Sequence, residues 1–268
     1  MEWKDFDVKN ENPLEKLLDD GGFTAIFRRI ACVGDSLASG EFEALKEDGS
    51  HSYHDFYEYS WGQFIARMTG AEVFNFSRGG MTANQFMTGF ADVCGAWEQS
   101  KTCQAYVIAL GVNDLLNRGR EVGSFDDVDF ENFRNNNLET FVGAYTAIVQ
   151  HYQAIQPHAR FFFVTMPKQT RDDERRKELK IKHAEFLYAL AEKIPYSYVI
   201  DLHKYAPVYD EEFYQKFGGH VGHLNPMGYQ ITAKMIATYI DYYVRKDFDA
   251  FKQVGFIGQP QYDEKFDK

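Results

Sequence analysis

Five short apolar runs punctuate the chain: Arg28–Val33 (RRIACV), Val73–Phe76 (VFNF), Ala105–Leu110 (AYVIAL), Arg160–Thr165 (RFFFVT) and Tyr198–Asp201 (YVID). Each is too short for a helix, and several are rich in β-branched or aromatic residues, so they read as buried strands. Helical patterns lie between them. The strongest is Leu138–Ile155, where Leu138, Phe141, Val142, Tyr145, Ile148, Val149, Tyr152 and Ile155 form one apolar stripe. Further helices are predicted over Ser60–Met68, Asp172–Lys193 and Pro226–Val244, the last with Asn225 as N-cap and Pro226 in the first turn. Strands alternating with helices predict an α/β fold, a parallel sheet covered on both faces, with function collecting where strands run into helices at their carboxyl ends. Two segments stand outside the alternation. Glu41–Tyr59 is a polar, aromatic insertion, and Asp247–Lys268 is a charged tail. The tail also holds Phe251, Val254, Phe256 and Ile257, which predicts packing on its own domain or, in a homo-oligomer, on a second copy. No repeat, low-complexity tract or linker interrupts the pattern. One domain over 1–268 is expected, with a core at about 26–244 between an N-terminal extension and the tail.

Composition narrows the partners. Lys and Arg number 29 against 40 Asp and Glu, a net charge of -11. Such a surface repels phosphate backbones and anionic lipid, so neither nucleic acid nor membrane is expected as a partner. The cysteines Cys32, Cys94 and Cys103 match no metal spacing and cannot all pair, and Cys32 reads as a small buried hydrophobe. The first twenty residues lack the regions of a signal peptide, and no stretch has the roughly 18 apolar residues of a spanning helix. The chain is expected to be soluble, either cytoplasmic or secreted after loss of a leader.

Four motifs carry candidate chemistry. The first strand runs into Gly34-Asp35-Ser36-Leu37. A serine at a strand-to-helix turn exposes its hydroxyl beside a helix N-terminus, which suits a nucleophile whose product is an oxyanion; the same residues also describe a capped glycine turn. The second runs into Ser77-Arg78-Gly79-Gly80, where a glycine lets backbone approach a ligand or simply makes a turn with positive φ. The third runs into Gly111-Val112-Asn113-Asp114. Asn113 offers an uncharged amide donor, and Asp114 could cap the next helix. Before the final helix comes Gly219-His220-Val221-Gly222-His223-Leu224-Asn225, with His223 on a loop suited to a general base. His220 and His223 could also ligate a metal, but no H-E-x-x-H pattern accompanies them.

In this order the motifs resemble the four conserved blocks of the SGNH hydrolases, the GDSL esterase/lipase family, from roughly Ile30 to Ile240. Ser36 corresponds to the block I serine, Gly80 to the block II glycine, Asn113 to the block III asparagine and His223 to the block V histidine. The resemblance implies a three-layer α/β/α sandwich with a central parallel five-stranded sheet of flavodoxin-like topology, and no cofactor or metal. It also implies ester hydrolysis through an acyl-enzyme on Ser36, with His223 as base and Ser36, Gly80 and Asn113 holding the oxyanion.

One position departs. The family usually carries Asp three residues before the histidine, and here that residue is His220. An imidazole cannot stabilise a neighbouring imidazolium as a carboxylate does. The expectation is an active Ser-His dyad, with a backbone carbonyl, His220 as a third member, or a carboxylate such as Asp210, Glu211 or Glu212 orienting His223. The alternative is a weak or inactive relative that binds a ligand or acts as a scaffold. Asp35 is expected to fix the loop through backbone hydrogen bonds. The run from Asp172 to Glu178 is expected to be a solvated helix face. The insertion His51–Tyr59 mixes rings and polar groups as a sugar site does, although it could equally pack the loop onto the domain. With an acidic surface and no exposed amphipathic helix, deacylation of a carbohydrate or small acyl compound is expected over interfacial lipolysis.

Overall fold

The computed structural model describes residues 11–132, 137–219 and 222–262. Its strands are β1 (Arg29–Gly34), β2 (Glu41–Leu45), β3 (His51–Asp55), β4 (Glu72–Ser77), β5 (Ala105–Ala109), β6 (Arg160–Val164) and β7 (Ser197–Ile200). The five predicted apolar runs form one parallel sheet in the order β4-β1-β5-β6-β7. Counted within the sheet this is 2-1-3-4-5, the flavodoxin-like order. β2 and β3 form a separate antiparallel hairpin within the polar insertion.

Alternation along the strands builds two cores. Ala31, Val33, Tyr106, Ile108, Phe161 and Phe163 face one layer, which contains Phe141–Ile155 and Glu174–Lys193. Ile30, Cys32, Val107, Phe162 and Val164 face the other, with Trp61–Thr69 and Pro226–Lys246. Both faces are therefore buried, as a parallel sheet requires. Cys32 is a fully buried hydrophobe.

The helix predicted from Leu138 begins at Phe141 instead. Leu138 is exposed, and the Thr140 hydroxyl caps the helix by accepting from Gly143 N–H at 3.2 Å. Asn225 caps the last helix as expected, accepting from Gly228 N–H at 3.0 Å. In the tail, Phe251, Val254 and Ile257 are buried in the second core and so pack on their own chain, whereas Phe256 is exposed. Arg28 and Gln104 donate to the Gly255 and Ile257 carbonyls there. Among the described residues no helix is long and apolar enough to cross a membrane.

Candidate active site

Register brings the motifs together. Gly34 at the end of β1 pairs with Ser77 of β4 and with Ala109 of β5, so three carboxyl ends lie level. Ser36, Gly80 and Asn113 follow those ends within a few residues, on one rim where the strand order reverses. All three line a cleft of about 750 Å³ together with His223.

Ser36 opens a short helix, Ser36–Ser39, whose N-cap is Asp35. The first amides of a helix have no intrahelical acceptor. Asp35 takes that of Leu37 at 3.1 Å, and among the described residues no acceptor takes that of Ser36. Asp35 thus fixes the loop as expected, at a cost. Burial pushes its carboxyl up to about 7, against the pull of the Leu37 N–H and of His223.

Gly80 holds a φ of +71°, a left-handed conformation that glycine adopts without a Cβ penalty. Its carbonyl accepts from Arg118 Nη2 at 2.9 Å, which fixes the peptide. Asn113 donates through Nδ2 to the Met81 carbonyl at 3.1 Å, while its Oδ1 accepts from Asn117 at 2.9 Å. A primary amide has two N–H groups, so one remains for the cleft. Asp114 accepts from Ala83 N–H at 3.1 Å and so ties this turn to the Gly80 loop. It is buried, and burial pushes its carboxyl up to about 6.

The carboxylate partner of His223 comes from a place the sequence did not suggest. Glu43 Oε1 lies 2.5 Å from His223 Nδ1 and accepts from the His223 backbone N–H at 3.3 Å. The Glu43 side chain is 1% exposed. Asp210 instead caps the helix Glu211–Phe217, Glu211 is exposed in its first turn, and Glu212 pairs with Lys216. His220 lies outside the described residues.

Glu43 sits on β2, whose alternation is inverted. Glu41 and Glu43 face inward, while Phe42 and Leu45 are exposed. The glutamates are buried because they meet His223. Glu41 Oε1 lies 3.0 Å from Nε2, the nitrogen a serine hydroxyl would use. Among the described residues no hydrogen bond joins Ser36 Oγ to Nε2, so the ring is bracketed by two carboxylates. Burial pushes the Glu41 carboxyl up, with Asp55 and Glu43 adding to the push and His223 opposing it. A Cβ at Gly79 would collide with the Glu41 carboxylate, which therefore lies between His223 and the glycine loop.

The aromatic insertion contributes one ring to the cleft wall, Tyr53, edge-on to His223 at 5.9 Å. Tyr57 donates to the Val73 carbonyl, and Asp55 accepts from Ser39 Oγ and Gly79 N–H, so those two residues fasten the hairpin to the domain. The charged run beyond β6 is only partly a solvated face. Asp172 is buried against Lys180 at 2.5 Å, and Arg171, Arg176 and Lys180 line the cleft. Among the described residues, no group of three or more His, Cys, Asp or Glu side chains could hold a metal ion.

Solved structures with the same fold include a family two carbohydrate esterase from Clostridium thermocellum in complex with cellohexaose. It is 15% identical, with a TM-score of 0.58 over 81% of this chain and 64% of that one. A family two carbohydrate esterase with a carbohydrate-binding domain from Corynascus thermopiles is 18% identical, with a TM-score of 0.52 over 80% of this chain and 65% of that one. A protein from Desulfitobacterium hafniense, described as lipolytic and of the G-D-S-L family, is 18% identical, with a TM-score of 0.51 over 79% and 99%. No curated protein sequence matches the chain. Residues 32–231 match the GDSL-like Lipase/Acylhydrolase family, a span that begins inside β1 and takes in all four motifs. With that match and the flavodoxin-like sheet beneath it, the chain belongs to the GDSL-like lipase/acylhydrolase family of ester hydrolases.

Proposed function

We propose that the chain is a serine esterase that removes a short acyl group, O-acetyl foremost, from a carbohydrate, through an acyl-enzyme on Ser36. The observation that carries this reading is the Glu43–His223 contact at 2.5 Å, in the cleft that Ser36, Gly80 and Asn113 also line. A carboxylate on Nδ1 keeps the other ring nitrogen available as a base and stabilises the imidazolium that forms.

Ser36 Oγ attacks the ester carbonyl carbon as its proton passes to His223 Nε2. The carbonyl oxygen becomes an oxyanion, received by the Ser36 and Gly80 amides and the free Asn113 N–H. Collapse breaks the bond to the alcohol, which leaves with the proton from Nε2. Water then attacks the acyl-enzyme carbonyl, giving one proton to His223 Nε2, and collapse breaks the bond to Ser36 Oγ, which takes that proton back as the acid departs. Before the first step Glu41 must release Nε2.

The short acyl group is inferred from an apolar cavity of about 70 Å³ that adjoins the cleft and shares Leu37 and Val112 with it. Its remaining walls include Trp61, Val164, Leu202 and Ile236. The carbohydrate is inferred from the Tyr53 ring in the wall, since flat rings cover sugar faces, and two of the fold neighbours are carbohydrate esterases. The second reading, a ligand-binding relative without turnover, draws on one observation, the occupation of Nε2 by Glu41. Purified protein should release the chromophore of a short-chain chromogenic ester, and Ser36→Ala should abolish the release. Undiminished turnover by Ser36→Ala removes Ser36 as the nucleophile.

A further inference from the structure

The ionisable groups in the cleft wall are segregated by sign. Asp35, Glu41 and Glu43 stand with His223, whereas Arg171, Arg176 and Lys180 come from the loop after β6 and the helix it enters. Lys180 has a carboxylate partner in Asp172. Among the described residues Arg171 and Arg176 form no ion pair, in a chain with eleven more acidic than basic residues.

Arg171 is nevertheless held in place. Nε donates to Gln169 Oε1 at 2.9 Å, Nη2 donates to the Tyr214 hydroxyl at 3.0 Å, and the guanidinium stacks 4.3 Å from the Tyr214 ring centre. All these partners are neutral, so they orient the group without compensating its charge. A guanidinium carries five N–H donors, and two are used here, which leaves a fork for an anion. The fork is close to the chemistry. A Cβ on Gly222, the residue before His223, would stand 3.1 Å from Arg171 Nη2. Burial holds Lys180 below the usual lysine range against the pull of Asp172, and the charges of Arg176 and Arg171 push the same way, so the three cations share one field.

We propose that Arg171 and Arg176 form an anion subsite and that the natural ester is an O-acylated sugar acid whose carboxylate docks there. This rests on the esterase reading in one respect: the acyl group fills the small apolar cavity, so the carboxylate belongs to the alcohol half of the ester. The net negative charge of the protein would otherwise repel such a substrate, and the arginine pair supplies the local exception.

The test compares O-acetylated galacturonic acid with its uncharged carboxamide, reading acetate release. Titration calorimetry of free galacturonate provides a measurement independent of turnover. Wild type should prefer the acid in kcat/KM by tenfold or more, the scale of a charge-assisted hydrogen bond. Arg171→Gln and Arg176→Gln should each lower that ratio by about tenfold, chiefly through KM, and Arg171→Lys should retain part of it. Calorimetric affinity for galacturonate should fall in parallel and weaken with salt. Equal release from acid and amide by wild type, or an unchanged ratio in both glutamine variants, overturns the subsite while leaving the esterase reading standing. Binding of galacturonate that Arg171→Gln abolishes, without acetate release from either compound, upholds the subsite and removes the esterase reading. Absence of both binding and release overturns both.

Discussion

Replacing Glu43 by Gln keeps the shape of the contact with His223 and removes its charge. The carboxylate is buried, 2.5 Å from Nδ1, on a strand held in place by Ser39 Oγ and Gly79 N–H bonding to its hairpin partner. In the proposed acyl transfer the ring becomes an imidazolium beside it. Two opposite unit charges about 4 Å apart at an effective dielectric constant near 20 attract by about 4 kcal/mol. At 1.36 kcal/mol per factor of ten, that is about 10³ in rate, and amide replacement of the acid in a Ser-His-Asp triad costs about 10⁴. Glu43→Gln should therefore lower kcat on a short-chain chromogenic ester by about 10³–10⁴ with little change in KM. Initial rates across substrate concentration, on protein shown by circular dichroism to be folded, measure both constants. A fall of less than about tenfold refutes the reasoning, because His223 would then work without the hairpin carboxylate.

Two further outcomes follow from the same carboxylates. Glu41→Ala should raise kcat, by about tenfold or more, because a charge-assisted hydrogen bond holding Nε2 is worth about 1.5–3 kcal/mol; a loss as large as that of Glu43→Gln would make Glu41 the working carboxylate. Asp35 should make the fold less stable as pH rises. Its folded carboxyl, pushed up to about 7, binds more protons than the unfolded chain between about pH 4 and 7, so stability falls across that window. Asp35→Asn keeps the cap, should flatten that part of the profile in urea titrations, and should be more stable than wild type at pH 8 by about 1–4 kcal/mol; parallel profiles for the two proteins contradict it.

The sheet was legible because its signal is local. Buried strands such as Arg160–Val164 are short apolar runs, and the parallel order follows from the helices between them. The convergence of Ser36, Gly80, Asn113 and His223 on one cleft was legible because each follows a strand or precedes a helix, where backbone geometry restricts the residue types. Glu43 was not, because it lies 180 residues from His223 and only tertiary packing joins them. A search for the missing acid beside His223 in sequence leads to Asp210 and its neighbours, which cap and decorate a helix instead. The available signal was the alternation Glu41-Phe42-Glu43 in a segment with no reason to bury charge. It was unreadable alone, since an amphipathic strand ordinarily buries its apolar side. Arg176 was hidden similarly: a run of mixed charge, Asp172 to Glu178, describes a solvated face until the fold turns part of it into a cleft.

A serine-directed phosphonate tests the central claim most directly, because it reports the nucleophile without requiring the natural substrate. Intact-protein mass should show one adduct per chain, peptide mapping should place it on Ser36, Ser36→Ala should remain unlabelled, and His223→Ala should label far more slowly. Labelling of Ser36→Ala at the wild-type rate, or an adduct mapped to any other residue, would contradict the account.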